Sequence, residues 1–199
     1  MNNGITDYFR KIDPILYAAL QNIENIENLG PRTSKDYFLD LCEAIINQQL
    51  SDKAAATIFR RFLKLFPDAI SAEKVLQIPD KDIRAVGTSW SKVKFLKSLS
   101  AAVVDKTIHL NQLEKLSDVE VIKELTKIHG IGPWTGEMFL MFSLGRPDVF
   151  SFGDVGLKRA IHKLYHFKHE PTVAQMKKMS RRWSPYRTYA CRILWRSLE

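Results

Sequence analysis

Two stretches of the 199-residue chain carry side chains and turns suited to chemistry. In IHGIGPWTGEMFL, residues 128–140, Gly130, Ile131 and Gly132 precede Pro133 and an apolar run. Glycines reach φ > 0 and put no side chain in the way. The N–H groups of such a turn, with those of the helix start behind it, can point together at a phosphate, and the helix dipole adds partial positive charge there. A clamp of this kind fixes a phosphate backbone in place and reads no base. In VFSFGDVGLKRA, residues 149–160, Asp154 stands where a helix begins, and its simplest role is that of an N-cap. Asp148, in GRPDVF, reads as a loop or turn residue. His162 and His166 lie four apart, with His169 beyond. That spacing can bind zinc, but no third ligand stands at matching spacing and no Glu lies between them, so no metal on side chains is expected. The two cysteines, Cys42 and Cys191, are too few for a four-cysteine cluster and read as small buried hydrophobes.

Helices must position these residues. DPILYAALQNIENIENLG has Pro14 in its first turn and Gly30 as a C-cap. SKDYFLDLCEAIINQQ offers Ser34 as N-cap and apolar residues at Phe38, Leu41, Ile45 and Ile46. SDKAAATIFRRFLKLF repeats the device from Ser51. Spacings of three and four predict amphipathic helices. PDKDIRAVG is a short helix closed by Gly87, and SKVKFLKSLSAAVVDK is another. SDVEVIKELTKI opens with a capping box, Ser117 to Glu120. Pro133 starts the next helix and Gly145 ends it; DVGLKRAIHKLY and PTVAQMKKMSRRW follow. The last, SPYRTYACRILWRSL, has Ser184 as N-cap and Pro185 at N1. No stretch alternates as a strand does, so the fold class is all-α, with around ten helices.

A hydrophobic fraction of 45% and a charged fraction of 26% belong to a soluble globular protein. No apolar run approaches the roughly 20 residues that span a bilayer, and MNNGITDYFRK lacks a signal-peptide pattern. No membrane role is expected; a cytoplasmic place is, near the nucleoid in a bacterium or in the nucleus of a eukaryote. Thirty Lys and Arg against 22 Asp and Glu leave +8, which suggests a polyanion such as nucleic acid as partner.

Taken with FSFGD downstream, GIGPWT resembles the helix-hairpin-helix (HhH-GPD) superfamily of base-excision DNA glycosylases. Within it, the match is to the alkylbase, or 3-methyladenine, DNA glycosylase II family. IINQQLSDKAAATI is similar to that family's helix–loop–helix beside the lesion, and WSPYRTYACRILW to its C-terminal helix. The resemblance spans roughly residues 35–199. A glycine hairpin alone is common, whereas these segments together are specific. Larger bacterial members add an N-terminal β-rich domain, so the resemblance is to a short form reduced to the helical core. It implies one domain over 1–199, with two helical lobes and the active-site cleft between them. One lobe covers roughly 1–50 plus 145–199 and the other 51–144, with the helix-hairpin-helix at 117–144.

The resemblance also implies roles. Alkylation of a purine ring nitrogen makes the base a good leaving group. Breaking the N-glycosidic bond then leaves an oxocarbenium-like sugar. Asp154 is the carboxylate that would stabilise this cation and orient or deprotonate water, a role compatible with capping. Trp134 stands where bifunctional members carry a catalytic lysine, so no Schiff base forms and no strand is cut. Its indole can stack on a flipped, electron-poor base. Met138 shares its helical face, and Trp195 matches a second pocket aromatic. Val155 and Gly156 fall where the family lines its pocket, with Trp90 a looser candidate. Gly130, Ile131 and Gly132 would hold phosphate, and a monovalent cation can sit at this hairpin; no other cofactor is implied. In the loop of Gln48, Gln49 and Leu50, Gln49 is favoured as the minor-groove wedge and Leu50 is its rival. Ser51 and Lys158 are further DNA contacts, and Arg187 either holds a phosphate or braces the loop of Asp154.

The reaction implied is hydrolysis of alkylated purines (3-methyladenine, 7-methylguanine or ethenoadenine) from double-stranded DNA by a monomer, leaving an abasic site. The alternative is a non-catalytic DNA-binding module, which has no need of Asp154, Trp134 and Trp195 together.

Overall fold

The computed structural model describes residues 3–23, 34 and 36–199. Among them there are twelve α-helices, two 3₁₀ segments and no strand. They form two compact units. One comprises Met1–Thr33 and Gly145–Glu199, the other Ser34–Leu144.

In the first unit, α1 (Asn3–Ile12) and α2 (Pro14–Gln21) pack on each other. The chain returns to this unit with α10 (Val155–Leu164), α11 (Val173–Ser180) and α12 (Arg187–Arg196), the last packing on α2 and α10. Phe9, Leu16, Leu157, Ile161, Trp183 and Leu194 are its buried centre. Asp13 is buried with them and is satisfied four times. Its Oδ1 caps α2 at Leu16 N–H (3.1 Å), and its Oδ2 accepts from Tyr165 Oη–H and Trp183 Nε1–H, both 2.7 Å, and from Arg182 (3.1 Å). A buried carboxylate is tolerated only with such partners.

The second unit holds α3 (Tyr37–Asn47), α4 (Asp52–Leu63), α5 (Ala72–Gln77), α6 (Asp80–Ala85), α7 (Trp90–Val104), α8 (Asp118–Leu125) and α9 (Pro133–Phe142). The long α7 packs against α3, α5 and α6, and α8 against α9. Leu41, Ile45, Phe62, Leu96, Leu125 and Leu140 are buried here, each contributing about 1.5–3 kcal/mol.

Several boundaries differ from the sequence reading. Residues 34–50 belong with 51–144, because α3 buries Leu41, Cys42, Ile45 and Ile46 against α4, α7 and α9. Helices α1 and α5 were not expected. In α1 the apolar signal is little more than Ile5 and Phe9, one turn apart and both buried. The N-cap of α3 is Asp36, whose Oδ1 accepts from Leu39 N–H (2.9 Å), while Ser34 Oγ accepts from Asp36 N–H (3.1 Å). The last helix starts at Arg187, because Ser184 donates its Oγ–H to Asp148 Oδ2 (2.7 Å) instead of capping. The C-cap expected at Gly30 lies outside the described residues; α2 ends at Gln21.

Candidate functional site

In the first unit, Asp154 is the N-cap of α10. Its Oδ1 accepts from Leu157 N–H at 2.7 Å and from Trp195 Nε1–H at 3.0 Å. Gly156 lets this happen. A Cβ there would stand 3.0 Å from Asp154 Oδ1 and 3.3 Å from Trp195 Cδ1 and Nε1. Helix α12 supplies Trp195 and also anchors the loop that leads to Asp154. Arg187 forks onto Asp148, Nε to Oδ1 at 2.7 Å and Nη2 to Oδ2 at 3.0 Å, and its N–H adds a third bond to Oδ1 at 3.2 Å. Thr188 Oγ1 donates to the carbonyl of Arg146 (2.6 Å) and accepts from Val149 N–H (3.0 Å). Burial pushes the Asp148 carboxyl up, but the hydrogen bonds of Arg187 and Ser184 and the guanidinium charge outweigh it and hold the group below its ordinary range.

In the second unit, α8 and α9 flank the glycine turn. Ser117 and Glu120 form the capping box of α8, as the sequence predicts. Gly130 has φ +94° and sits on the ring of Phe95, so close that a Cβ would meet Phe95 Cγ at 2.0 Å. Gly132, N-cap of α9, is extended at φ −96° with no neighbour within 4 Å of a Cβ position. Of the two glycines, both able to reach φ > 0, only Gly130 does so. Ile131 is buried, and its N–H is used within the turn. The carbonyl of Ile128 accepts from Ile131 N–H (3.1 Å) and that of Gly130 from Gln48 Nε2 (3.0 Å). Each carbonyl oxygen keeps a second lone pair.

A cavity of about 460 Å³ opens beside this turn. Helix α9 lines it with Trp134, Thr135, Met138, Phe139 and Phe142, and α3 with Asp40, Glu43, Asn47 and Gln48. Asp52 completes the wall. Asp40 Oδ2 is buried with no hydrogen-bond partner. Burial, then the negative charge of Asp40, raise the Glu43 carboxyl above its ordinary range, against a hydrogen bond with Asn47 that lowers it. An apolar, aromatic hollow with carboxylates on one wall suits a flat, electron-poor ring.

Residues 42–185 match the family of HhH-GPD superfamily base excision DNA repair proteins. The chain belongs to that superfamily. It is 34% identical over 184 residues to DNA-3-methyladenine glycosylase 1 of Schizosaccharomyces pombe, covering 88% of this chain and 79% of that protein. It is also 34% identical to the Bacillus subtilis protein YfjP, of whose length it spans 63%. Among solved structures, that of the S. pombe 3-methyladenine DNA glycosylase Mag1 in complex with abasic DNA is similar at a TM-score of 0.86 and 31% identity, over 96% of this chain and 95% of that one.

Within this HhH-GPD chain, the structure brings Asp154, Gly156 and Trp195 into one cluster, and Trp134, Met138 and Gln48 around one cavity. Trp134 is 45% exposed, so its indole is not part of the core. Val155 is 75% exposed beside Asp154. Trp90 does not line the cavity; it is the exposed first residue of α7. Ser51 is the exposed N-cap of α4 and makes no side-chain cap bond. Lys158 is paired with Glu170 at 2.8 Å, and Arg187 forks onto Asp148, the bracing role expected of it. Asp148 is thus the centre of an ion pair and no mere turn residue. Sequence reasoning missed the acidic wall. Asp40, Glu43 and Asn47 follow helical spacing on one face of α3, a pattern that reads equally well as solvated surface. Among the described residues, no group of three His, Cys, Asp or Glu is placed to hold a metal, and no helix is long and apolar enough to cross a membrane.

Proposed function

We propose that this protein is a monofunctional DNA glycosylase that releases alkylated purines from double-stranded DNA. The observation that carries the reading is Asp154, held at the head of α10 by Leu157 N–H and Trp195 Nε1–H, in a chain with close relatives named for this reaction. A cationic purine leaves with the electron pair of the N-glycosidic bond. The carboxylate stabilises the sugar cation, and water adds at C1′ while its proton passes to Asp154 or to solvent. Trp134, a residue that forms no Schiff base, leaves the strand intact. The cavity beside Trp134 and Met138 is the candidate receptor for the extruded base.

Affinity rests on phosphates. Residues 145–199 hold twelve Lys and Arg against four Asp and Glu, so this segment alone accounts for the net charge of +8. The glycine turn adds its N–H groups, and a monovalent cation on its carbonyls would supply one more positive charge toward a phosphate. Binding to undamaged duplex therefore falls steeply with salt. The reading carries with it a monomer acting in the compartment that holds the genome.

The test is base release from methylated DNA and from a duplex with one ethenoadenine, by wild type and by Asp154→Asn. Release by wild type, its loss in the variant and strand breaks only after alkali are the expected results. Tight, salt-sensitive binding without release from either substrate would favour the non-catalytic module.

A further inference from the structure

We infer that Gln48 and Lys92 tie the loop after α3 to the phosphate-binding turn, so that gripping the strand and inserting the loop tip beside a lesion are one rigid act. The inference rests on the glycosylase reading just given, taken with the loop of Gln48, Gln49 and Leu50 as the one that meets the minor groove.

Three contacts close a triangle. Lys92, in the first turn of α7, donates its Nζ–H groups to the carbonyls of Ile46 (2.8 Å) and Gln48 (2.7 Å). These carbonyls end α3, where helical partners run out. Burial lowers the Lys92 ammonium from its ordinary range, as befits a donor held against protein rather than water. Phe95 lies three residues further on α7 and therefore on the same face. It carries the turn at Gly130, where even a Cβ has no room. The third side is Gln48 itself, whose Nε2 donates to the Gly130 carbonyl at 3.0 Å. Helix α7 thus supports both loops, and Gln48 joins them.

This arrangement divides the roles within NQQLS. Gln48 turns its amide back toward the turn, so it is a positioning residue and not the wedge. Gln49 and Leu50 are what the loop presents: both are exposed, and Gln49 has φ +57°. A non-glycine residue persists in that region only where its surroundings fix it. Here the carbonyl just before Gln49 is clamped by Lys92, and the side chain just before it is clamped by Gly130. A phosphate taken at the head of α9 holds the turn, and through the bond from Gln48 to the Gly130 carbonyl it fixes the tip.

The test uses 2-aminopurine placed beside a tetrahydrofuran abasic analogue, whose fluorescence rises as the loop tip unstacks it. This readout needs no base release. Wild type is compared with Gln48→Met, which keeps about the size and charge but cannot donate, and with Lys92→Met and Lys92→Arg. We expect Gln48→Met and Lys92→Met to slow the rise about five- to tenfold. Affinity for undamaged duplex should stay within about twofold, because the turn still offers its N–H groups. Lys92→Arg, which can still donate to two carbonyls, should recover most of the rate. The inference is overturned if wild type gives no rise, if the variants match wild type, or if they lose undamaged-duplex affinity in the same proportion as the rate. A wild type that gives the rise but releases no base from any alkylated DNA defeats the glycosylase reading and leaves the tie standing.

Discussion

Gly156→Ala should damage chemistry while sparing the fold. The added Cβ would stand 3.0 Å from Asp154 Oδ1, where ordinary contact begins near 3.4 Å. The same atom meets Trp195 Cδ1 and Nε1 at 3.3 Å, so the indole cannot simply take up the strain. The carboxylate must move by roughly 0.4 Å against its bonds from Leu157 and Trp195. If a displacement of 1 Å costs about 100-fold in rate, 0.4 Å costs about sixfold, or ~1 kcal/mol. Stability changes less. Alanine is better than glycine in a helix by about 0.5–1 kcal/mol, and a weakened hydrogen bond removes about as much. The melting temperature should stay within about 4 °C of wild type. Single-turnover base release and thermal denaturation are measured together, with Gly153→Ala as control, since nothing lies within 4 Å of a Cβ there. A full rate in Gly156→Ala would refute the crowding argument. A lost rate accompanied by a large drop in melting temperature would show that the helix end, and not the carboxylate, had failed.

The two glycines of the turn should behave oppositely. Gly130→Ala needs a Cβ 2.0 Å from Phe95 at φ +94° and should cost about 2–4 kcal/mol in urea unfolding; Gly132→Ala should fold normally yet bind duplex more weakly, because its Cβ enters the open space where a phosphate belongs. Asp13→Ala strands the buried Trp183 Nε1–H, Tyr165 Oη–H and Arg182, and should cost about 3–5 kcal/mol, lowering the melting temperature by roughly 10 °C. For Asp148 the folded carboxyl is depressed, so its contribution is complete above the unfolded value near pH 3.9 and is lost as pH falls below it. Asp148→Asn should therefore destabilise the protein by about 1.5–3 kcal/mol at pH 7 and flatten the fall in stability between about pH 5 and 3; an unchanged acid limb would show that the Arg187 pair contributes nothing.

What the sequence made legible was local. A capping box spans four residues, so Ser117 and Glu120 disclose it unaided, and Asp154 capping Leu157 N–H is the same kind of signal. Even here two candidates can compete. Ser34 and Asp36 are both capping types, and only the folded chain shows Ser34 serving Asp36 while Asp36 serves Leu39. The bonds that set the site are of another kind. Trp195 reaches Asp154 across 41 positions, Arg187 reaches Asp148 across 39, and Lys92 reaches Gln48 across 44. Nothing periodic links such pairs. Family resemblance could point to Asp154 and Trp195 as functional, but it could not say that one donates to the other.

The acidic wall shows why a polar face is ambiguous in principle. On α3, the buried residues Leu41, Ile45 and Ile46 fix which side faces the core, and Asp40, Glu43 and Asn47 fall off it. Hydrophobic periodicity stops there, because water and a cavity lined by another helix's aromatic residues impose the same pattern on the helix that faces them. Only the placement of α9 turns these carboxylates toward Trp134, Met138 and Phe142. The two carboxylates then differ: Glu43 stays exposed, with its carboxyl raised by partial desolvation and by the charge of Asp40, whereas one Asp40 oxygen is buried without a hydrogen-bond partner. Water would satisfy such an oxygen on a fully exposed carboxylate. The cost of leaving that Asp40 oxygen unpartnered is offset when a hydrogen-bond donor enters the cavity.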